Sequence, residues 1–271
     1  MKKLWMKALP AALAATIVVA CQSVQTTGAG AVGVERTQMM MVSAQEVEQA
    51  SGQQYQQLIA AARGKNALNR DAAQLTRVRR IVSRLTAQVH TFRPDAAGWA
   101  WEVNVFSSAE LNAWCMAGGK MAIYTGLIER LQTSDDEIAA VMGHEIAHAL
   151  REHARERVSK SMVTGLGVSV AGALLGVGQV GQDLMSTVAR VSFELPNSRE
   201  HETEADRIGV ELTARAGFDP RAALTLWAKM ADQSAGAPPQ WLSTHPSHST
   251  RQQDLAQYVA RVLPLYERAR R

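Results

Sequence analysis

The chain has 271 residues, of which 46% are apolar and 20% are charged, so it can bury one good hydrophobic core and is too short to require two large domains. Its formal net charge is +4, but three of these charges come from Lys2, Lys3 and Lys7, in an N-terminal stretch without acidic residues. The rest of the chain is near neutral, which excludes a broad basic surface for nucleic acid. We therefore expect no nucleic-acid partner.

Residues 1–20 have the order of a secretory signal peptide: lysines, an apolar run and small residues before Cys21. The junction Val18-Val19-Ala20-Cys21 resembles a bacterial lipobox, in which the cysteine is lipidated and becomes the new N-terminus. The alternative is an apolar leader followed by a chance cysteine. Because Gln22 follows instead of Asp, the resemblance implies a lipid anchor at Cys21 in the outer membrane, with the protein facing the periplasm.

Residues 21–42 are rich in Gly, Ala, Thr and Gln with little periodicity, and we interpret them as a flexible tether from lipidated Cys21. The folded domain is predicted to cover residues 43–271. Ser43 and Glu46 form a capping-box pattern that begins the first helix. Periodicity and end signals predict helices over residues 43–63, 71–90, 134–156, 198–216, 220–230 and 250–263, and strands over residues 99–106 and 120–124. The fold class is α+β and mainly α-helical.

An uncharged stretch covers residues 161–182 and contains six glycines. Its length suits a membrane span, but its glycines and polar residues make its apolar character marginal for one. We favour a buried or membrane-touching helical hairpin, with a membrane-embedded protein as the alternative.

The helix over residues 134–156 carries the sequence HEIAH. His144 and His148 are four residues apart, so they lie on one side of the helix and are able to bind one metal ion. Glu145 is placed to act on a metal-activated water. The neighbouring residues are apolar nearly all round the helix, and buried histidines and a carboxylate require ligation or hydrogen bonds. We therefore predict a metal site with Glu145 as the catalytic base.

A catalytic zinc site needs a third protein ligand and one open position. On a continuous helix His153 faces away from His148, so the third ligand comes from another segment. In the helix over residues 198–216, Glu202 and Asp206 share one side, which suits Glu202 as the ligand and Asp206 as the hydrogen-bond acceptor of a ligand histidine. From spacing alone, a solvated acidic helix is an equally good interpretation.

Four segments in this order resemble the HtpX-like gluzincin zinc metallopeptidases, a family that also contains the CAAX prenyl proteases: NAWCMAGGKMAIYTGLI, HEIAH, LPNSREHETEAD and STHPSHSTR. The lipobox resembles that of the LoiP-like lipoprotein members. The resemblance covers roughly residues 45–262 and implies a minimal gluzincin domain with a small sheet beside the HExxH helix. One departure from the family pattern is Trp114-Cys115-Met116-Ala117, which changes the pocket beside the metal.

The resemblance also implies roles for individual residues. One Zn²⁺ ion per chain would be bound by His144, His148 and Glu202. His245 would stabilise the oxyanion or occupy the open metal position in a resting state, and Arg251 would contact substrate or the tetrahedral intermediate.

The residues and the resemblance together predict a zinc-dependent endopeptidase of the bacterial envelope that cleaves unfolded or misassembled envelope or outer-membrane proteins. We expect substrate to extend along the strand from Met121 to Tyr124 by adding a strand to the sheet. Outer-membrane assembly machinery or other envelope proteases are the expected partners. The alternative is a lipoprotein chaperone or assembly factor with little proteolytic turnover, although a purely structural metal site needs no base at Glu145.

Overall fold

A computed structural model describes residues 22–163, 177–233, 240–246 and 250–271. Among these residues the helices are α1 Ala44–Gly64, α2 Ala72–Thr86, α3 Thr125–Glu129, α4 Asp135–Leu150, α5 His153–Val163, α6 Val177–Phe193, α7 Arg199–Arg215, α8 Ala222–Asp232, α9 Gln240–Thr244 and α10 Arg251–Ala269. The strands are β1 Gln22–Val24, β2 Gln38–Met40, β3 Glu102–Phe106, β4 Ala113–Met116 and β5 Lys120–Tyr124. The predicted α+β, mainly helical class is confirmed.

The larger sheet has the order β3-β5-β4. Strand β3 runs parallel to β5, with Val103 opposite Met121, and β4 runs antiparallel to β5, with Cys115 opposite Met121. Sequence patterns predicted β3 and β5 but missed β4, whose four residues are too few to show a period of two. The missed strand matters because it places β5 at the centre and β4 at an edge of the sheet.

Helix α4 is the centre of the core. It packs against α7, α8, α2 and strand β4, and apolar side chains from all of these elements join it in one cluster. A helix surrounded in this way has no solvated face, which explains its nearly uninterrupted apolar sequence. The functional side chains that α4 carries are therefore held by packing on every side.

The prediction that residues 21–42 form a flexible tether is wrong for the described part of that segment. Strands β1 and β2 pair antiparallel, with Gln22 opposite Met40. Val32 and Val34 are buried in the main core, and Gln38 donates to the carbonyl of Arg151 at 2.7 Å. The segment lacks periodicity because these contacts are scattered and distant in sequence, and it is nevertheless part of the folded domain.

The predicted helix over residues 134–156 is also corrected. Helix α4 ends at Leu150, and Glu152 adopts a left-handed backbone with φ of 51° before α5 begins at His153. Two partly buried ion pairs hold this break, from Glu152 to Arg93 at 2.6 Å and to Arg155 at 2.6 Å. Such partners are invisible to helix periodicity, and the break changes the direction in which His153 points.

The predicted signal peptide and Cys21 lie outside the described residues, as do residues 164–176 of the uncharged stretch. Within the described ranges, no helix has the length and apolar character required to cross a membrane.

Candidate metal centre

Helix α4 supplies two of the candidate ligands. Ser134 begins the helix with a capping box: its hydroxyl accepts from the Glu137 amide at 3.1 Å, and the Glu137 carboxylate accepts from the Ser134 amide at 2.9 Å. Residues 137–150 are all buried. His144 and His148 therefore lie inside the protein, in the apolar setting that the sequence predicted.

Four side chains converge beside α4. The ligand atoms of His144, His148, Glu202 and His245 all lie within 4.8 Å of one another. Nε2 of His148 is 3.1 Å from Nε2 of His144 and 3.4 Å from Oε1 of Glu202, while Nδ1 of His245 is 3.0 Å from the same oxygen. The structure thus brings together the three predicted ligands and adds His245 to them as a fourth group.

The hydrogen-bond pattern fits a cation at this point. Nδ1 of His144 lies 3.0 Å from the Asp206 carboxylate, so it carries a hydrogen and leaves the Nε2 lone pair directed at Nε2 of His148. Facing lone pairs need a proton or a metal ion between them. Oε2 of Glu202 is buried and accepts no well-aligned hydrogen bond, although Nη1 of Arg251 lies 2.9 Å away. Two imidazoles and a carboxylate are the ligand set of catalytic zinc sites.

Protons and a metal ion compete for the ring nitrogens of His144 and His148. Burial disfavours the charged form of His144, but its hydrogen bonds to Asp206 and Glu202 outweigh burial and raise its pKa to about 9. Burial lowers the pKa of His148 to about 3, and the charge on His144 acts in the same direction. A metal ion that binds Nε2 of His144 must therefore displace a proton from that histidine.

Glu145 lies at the wall of a cleft of about 530 Å³, which also reaches His148 and His245. The indole Nε1–H of Trp241 donates to Oε1 of Glu145 at 2.6 Å, and Nε2 of His245 lies 3.5 Å from the same oxygen. One carboxylate oxygen is therefore held in place. The other is left to act on a water molecule, as a general base requires.

Asp206 takes the predicted supporting place, because it accepts from His144. Arg251 does not take the place that the resemblance implied. Its guanidinium is buried and donates to both Asp206 oxygens, at 2.7 and 2.8 Å, and it also packs over the ring of Trp227. A group enclosed in this way is unable to reach substrate, so Arg251 supports the carboxylates behind the metal site instead.

Residues 72–259, more than half of the chain, match the family model described as Peptidase family M48. This range includes HEIAH, the Glu202 helix and His245. The chain belongs to peptidase family M48. The family resemblance inferred from the four sequence segments is thereby confirmed.

Named M48 relatives come from mitochondria and bacteria. The mitochondrial metalloendopeptidase OMA1 of Arabidopsis thaliana is 37% identical over 171 residues, which are 63% of this chain and 34% of the plant protein. The metalloprotease LoiP of Escherichia coli (strain K12) is 27% identical over 246 residues, which are 89% of this chain and 91% of LoiP. A putative beta-barrel assembly-enhancing protease of Vibrio cholerae is 30% identical over 167 residues, which are 57% of this chain and 34% of that protein. The chain thus spans about a third of the length of the plant relative and nearly all of LoiP.

The sheet of this M48 chain corrects the predicted substrate strand. Residues 121–124 belong to β5, which is paired with β3 on one side and β4 on the other, so its backbone has no edge to offer. The edge strand β4 lines the cleft with Ala113, Trp114, Cys115 and Met116. An extended peptide that adds to this sheet within the cleft therefore has β4 as its neighbour.

The M48 site also contains a supporting residue that sequence reasoning set aside. His153 was rejected as a ligand because it would face away on a continuous helix. The break after α4 brings its Nδ1 to 2.8 Å from Nδ1 of His148. Burial lowers the pKa of His153 well below its ordinary value, with the neighbouring His201 and His148 acting in the same direction, so it is a neutral hydrogen-bond partner of His148.

Proposed function

We propose that this protein is a zinc-dependent endopeptidase. The observation that carries the proposal is the position of Glu145, a buried carboxylate held by Trp241 and placed beside the cluster of His144, His148 and Glu202. A structural metal site needs no such base, whereas hydrolysis by a metal-activated water does.

When bound, zinc would lower the pKa of a water molecule and polarise the carbonyl of the scissile peptide. Glu145 would take the proton from that water through the oxygen that Trp241 leaves free, and would return it to the departing amine. Asp206 and Arg251 keep the His144 ring oriented, because the carboxylate accepts from Nδ1 while the guanidinium holds both carboxylate oxygens. No covalent acyl-enzyme is required.

In this proposal the position of His245 determines whether the fourth metal position is open. Its Nδ1 lies 3.3 Å from Nε2 of His144 and within the ligand group, which would complete four-coordination of a zinc ion. Of the two roles implied by the family resemblance, this geometry supports the resting-state ligand. In this proposal His245 leaves the cluster when substrate enters, which opens the fourth metal position.

The proposed substrates are unfolded or misassembled proteins of the bacterial envelope. The cleft and the β4 edge favour an extended chain, and recognition through backbone hydrogen bonds is tolerant of sequence. The similarity to a bacterial protein named as a putative beta-barrel assembly-enhancing protease supports an envelope setting. A lipid anchor at Cys21, placing the protein in the outer membrane facing the periplasm, and contact with outer-membrane assembly machinery or other envelope proteases belong to the same proposal.

The test compares full-length wild type, Glu145→Gln and Glu202→Ala for bound zinc per chain and for cleavage of casein and of an unfolded porin. We expect wild type to bind one zinc ion and cleave, Glu145→Gln to keep zinc and lose about 10²- to 10⁴-fold in rate, and Glu202→Ala to lose most of both. Zinc-loaded wild type that leaves both substrates intact, and that equals Glu145→Gln in suppressing porin aggregation, would favour the chaperone alternative.

A further inference from the structure

The two metal-binding histidines of α4 have different supports. His144 donates directly to the carboxylate of Asp206, and Arg251 neutralises that carboxylate. His148 has no carboxylate on its Nδ1 but another histidine, His153, at 2.8 Å. The support of His148 therefore continues through His153 to a further group.

Hydrogen-bond chemistry fixes the direction of this chain of contacts. If Nε2 of His148 uses its lone pair for a metal ion, Nδ1 of His148 carries the hydrogen and donates to Nδ1 of His153. His153 must then carry its own hydrogen on Nε2, which lies 3.0 Å from Oε2 of Glu204. Every donor meets an acceptor only in this arrangement, so Glu204 is the carboxylate that orients His148 through His153.

Glu204 in turn needs positive charge, because its carboxylate is buried. Arg151, in the break after α4, donates to it at 3.0 Å. Arg36 donates to it with two nitrogens, at 2.7 and 3.1 Å, and uses two nitrogens on Glu156 as well, at 2.8 and 2.9 Å. One guanidinium thus joins α5 and α7 behind the metal ligands with the paired geometry that suits arginine.

Arg36 belongs to the segment of residues 22–42, which precedes the range that matches the family model. On either side of Arg36, the buried side chains of Val34 and Gln38 hold the segment in place. By contrast, Asp206 and Arg251, which support His144, both lie within the matched range. The support of His148 therefore depends on a residue outside the range that the family model matches.

We propose that Arg36 and His153 are positioning residues for the metal ligand His148, and that residues 22–42 are a functional part of the metal centre. The inference rests on the proposed metal binding at His144, His148 and Glu202. In this proposal the affinity for Zn²⁺ depends on a segment beside the candidate anchor Cys21, so displacement of this segment would weaken Zn²⁺ binding.

The experiment measures the zinc dissociation constant of the full-length protein by competition with a chromophoric chelator, together with thermal unfolding in excess chelator. The variants are Arg36→Gln, His153→Phe, their double variant and the control Arg77→Gln. The control removes another half-buried arginine, which pairs with Asp135 at 2.6 Å away from the metal ligands. His153→Phe keeps a ring against His201, on which His153 stacks at 4.2 Å, and removes both nitrogens.

We expect His153→Phe to weaken zinc binding by up to about 100-fold and Arg36→Gln by about tenfold, the range for groups that orient metal ligands. The double variant should be no weaker than His153→Phe alone, because both residues act along one path. His153→Gln should restore part of the affinity, since its amide can accept from His148 and donate to Glu204. In the Co²⁺-loaded protein, Arg36→Gln should also change the visible absorption bands, whereas Arg77→Gln should not.

Two results would overturn the proposal: zinc affinity in Arg36→Gln equal to that in Arg77→Gln, or a double variant whose loss is the product of the two single losses. If Arg36→Gln fails to fold, Arg36→Lys gives the same test, because a single ammonium is unable to hold two carboxylates in paired geometry and should still weaken zinc binding. Wild type without zinc binding would refute the proposed function instead, so the two failures are distinct.

Discussion

Gly143 and Gly209 face each other where α4 crosses α7, and a Cβ added at Gly209 would lie 2.9 Å from the backbone nitrogen of His144. It would also lie 3.1 Å from the carbonyl carbon of Gly143. These are backbone atoms of a buried helix, which are unable to move aside as a flexible side chain does. The glycine pair therefore sets the separation between the helix with His144 and His148 and the helix with Glu202.

Replacing Gly209 with alanine should push the two helices apart. We expect Gly209→Ala to lower the free energy of unfolding by about 1–3 kcal/mol, as overpacking of a close contact does, and to weaken zinc binding because the ligands separate. Urea unfolding and chelator competition measure the two effects.

Gly52→Ala is the matched control. Gly52 also lies in a helix, α1, but an added Cβ there meets nothing within 4 Å, so this change should raise the free energy of unfolding by about 0.5–1 kcal/mol through helix propensity. Equal unfolding midpoints for Gly209→Ala and wild type would show that the helix crossing is looser than the contact distance indicates.

Trp241→Phe tests whether the base needs its hydrogen bond. The change removes the Nε1–H that donates to Glu145 at 2.6 Å and leaves all four metal-binding side chains in place. We expect the cleavage rate to fall by about 10- to 100-fold, because a base that turns freely is misplaced for proton transfer, while zinc content is unchanged.

The control for this change is Trp101→Phe. Trp101 also donates from its indole, but to the backbone carbonyl of Ala96 at 2.8 Å, away from the cleft. Its loss should leave the cleavage rate within a factor of about two of wild type. A Trp241→Phe protein as active as Trp101→Phe would show that the hydrogen bond to Glu145 is not required for catalysis.

Asp206→Asn tests the support of His144. The amide lacks the negative charge that pairs with Arg251, which is buried and would keep Glu202, at 2.9 Å, as its carboxylate partner. We expect zinc affinity to fall by about 10- to 100-fold and the free energy of unfolding in chelator to fall by about 3 kcal/mol or more.

Asp135→Asn provides the comparison for Asp206→Asn. Asp135 also pairs with two arginines, Arg77 and Arg80, but its side chain is 38% exposed. Solvent screens such a pair, so its removal should cost about 1 kcal/mol or less and should not affect zinc binding. Similar losses of unfolding free energy in the two variants would mean that burial does not strengthen the pair between Asp206 and Arg251.

Local signals in the sequence were sufficient to predict much of the metal centre. Ser43 begins α1 with the predicted capping box, Ser134 begins α4 at the predicted helix start, and the four-residue spacing places His144 and His148 together. These features depend on neighbours within one or two helical turns. Glu202 needed the family resemblance as well, because spacing alone left a solvated helix equally plausible.

Long-range contacts account for the parts that the sequence did not predict. Arg36 is 120 residues from Glu156 and 168 from Glu204, and no local pattern connects them. The break at Glu152 depends on Arg93, a partner 59 residues away in the sequence. The edge strand β4 is defined by pairing with β5 and not by its own alternation. Each missed feature is fixed by a partner distant in sequence.

Glu156 leads to a prediction about acid stability. Burial alone would raise the pKa of this carboxyl, but hydrogen bonds from His201, Arg36, Lys160 and Gln38 outweigh burial and hold the pKa well below its ordinary value of 4.5. A carboxyl whose pKa is lowered by folding stabilises the folded protein above its unfolded pKa and loses that contribution as the pH falls. The contribution of Glu156 is therefore fully present at pH 7 and declines below about pH 4.5.

Glu156→Gln removes this titration. At pH 7 the variant should lose about 1–3 kcal/mol of unfolding free energy, because several charge-assisted hydrogen bonds become neutral ones, and its deficit relative to wild type should shrink as the pH is lowered to about 3.5. Glu46→Gln is the control: the side chain is exposed, its pKa is also lowered, mainly by the hydroxyl of Ser43, and glutamine preserves the capping box. Urea unfolding of the three proteins at several pH values measures the deficit, and a Glu156→Gln deficit that stays constant from pH 7 to acid would show that the carboxyl is not the titrating group.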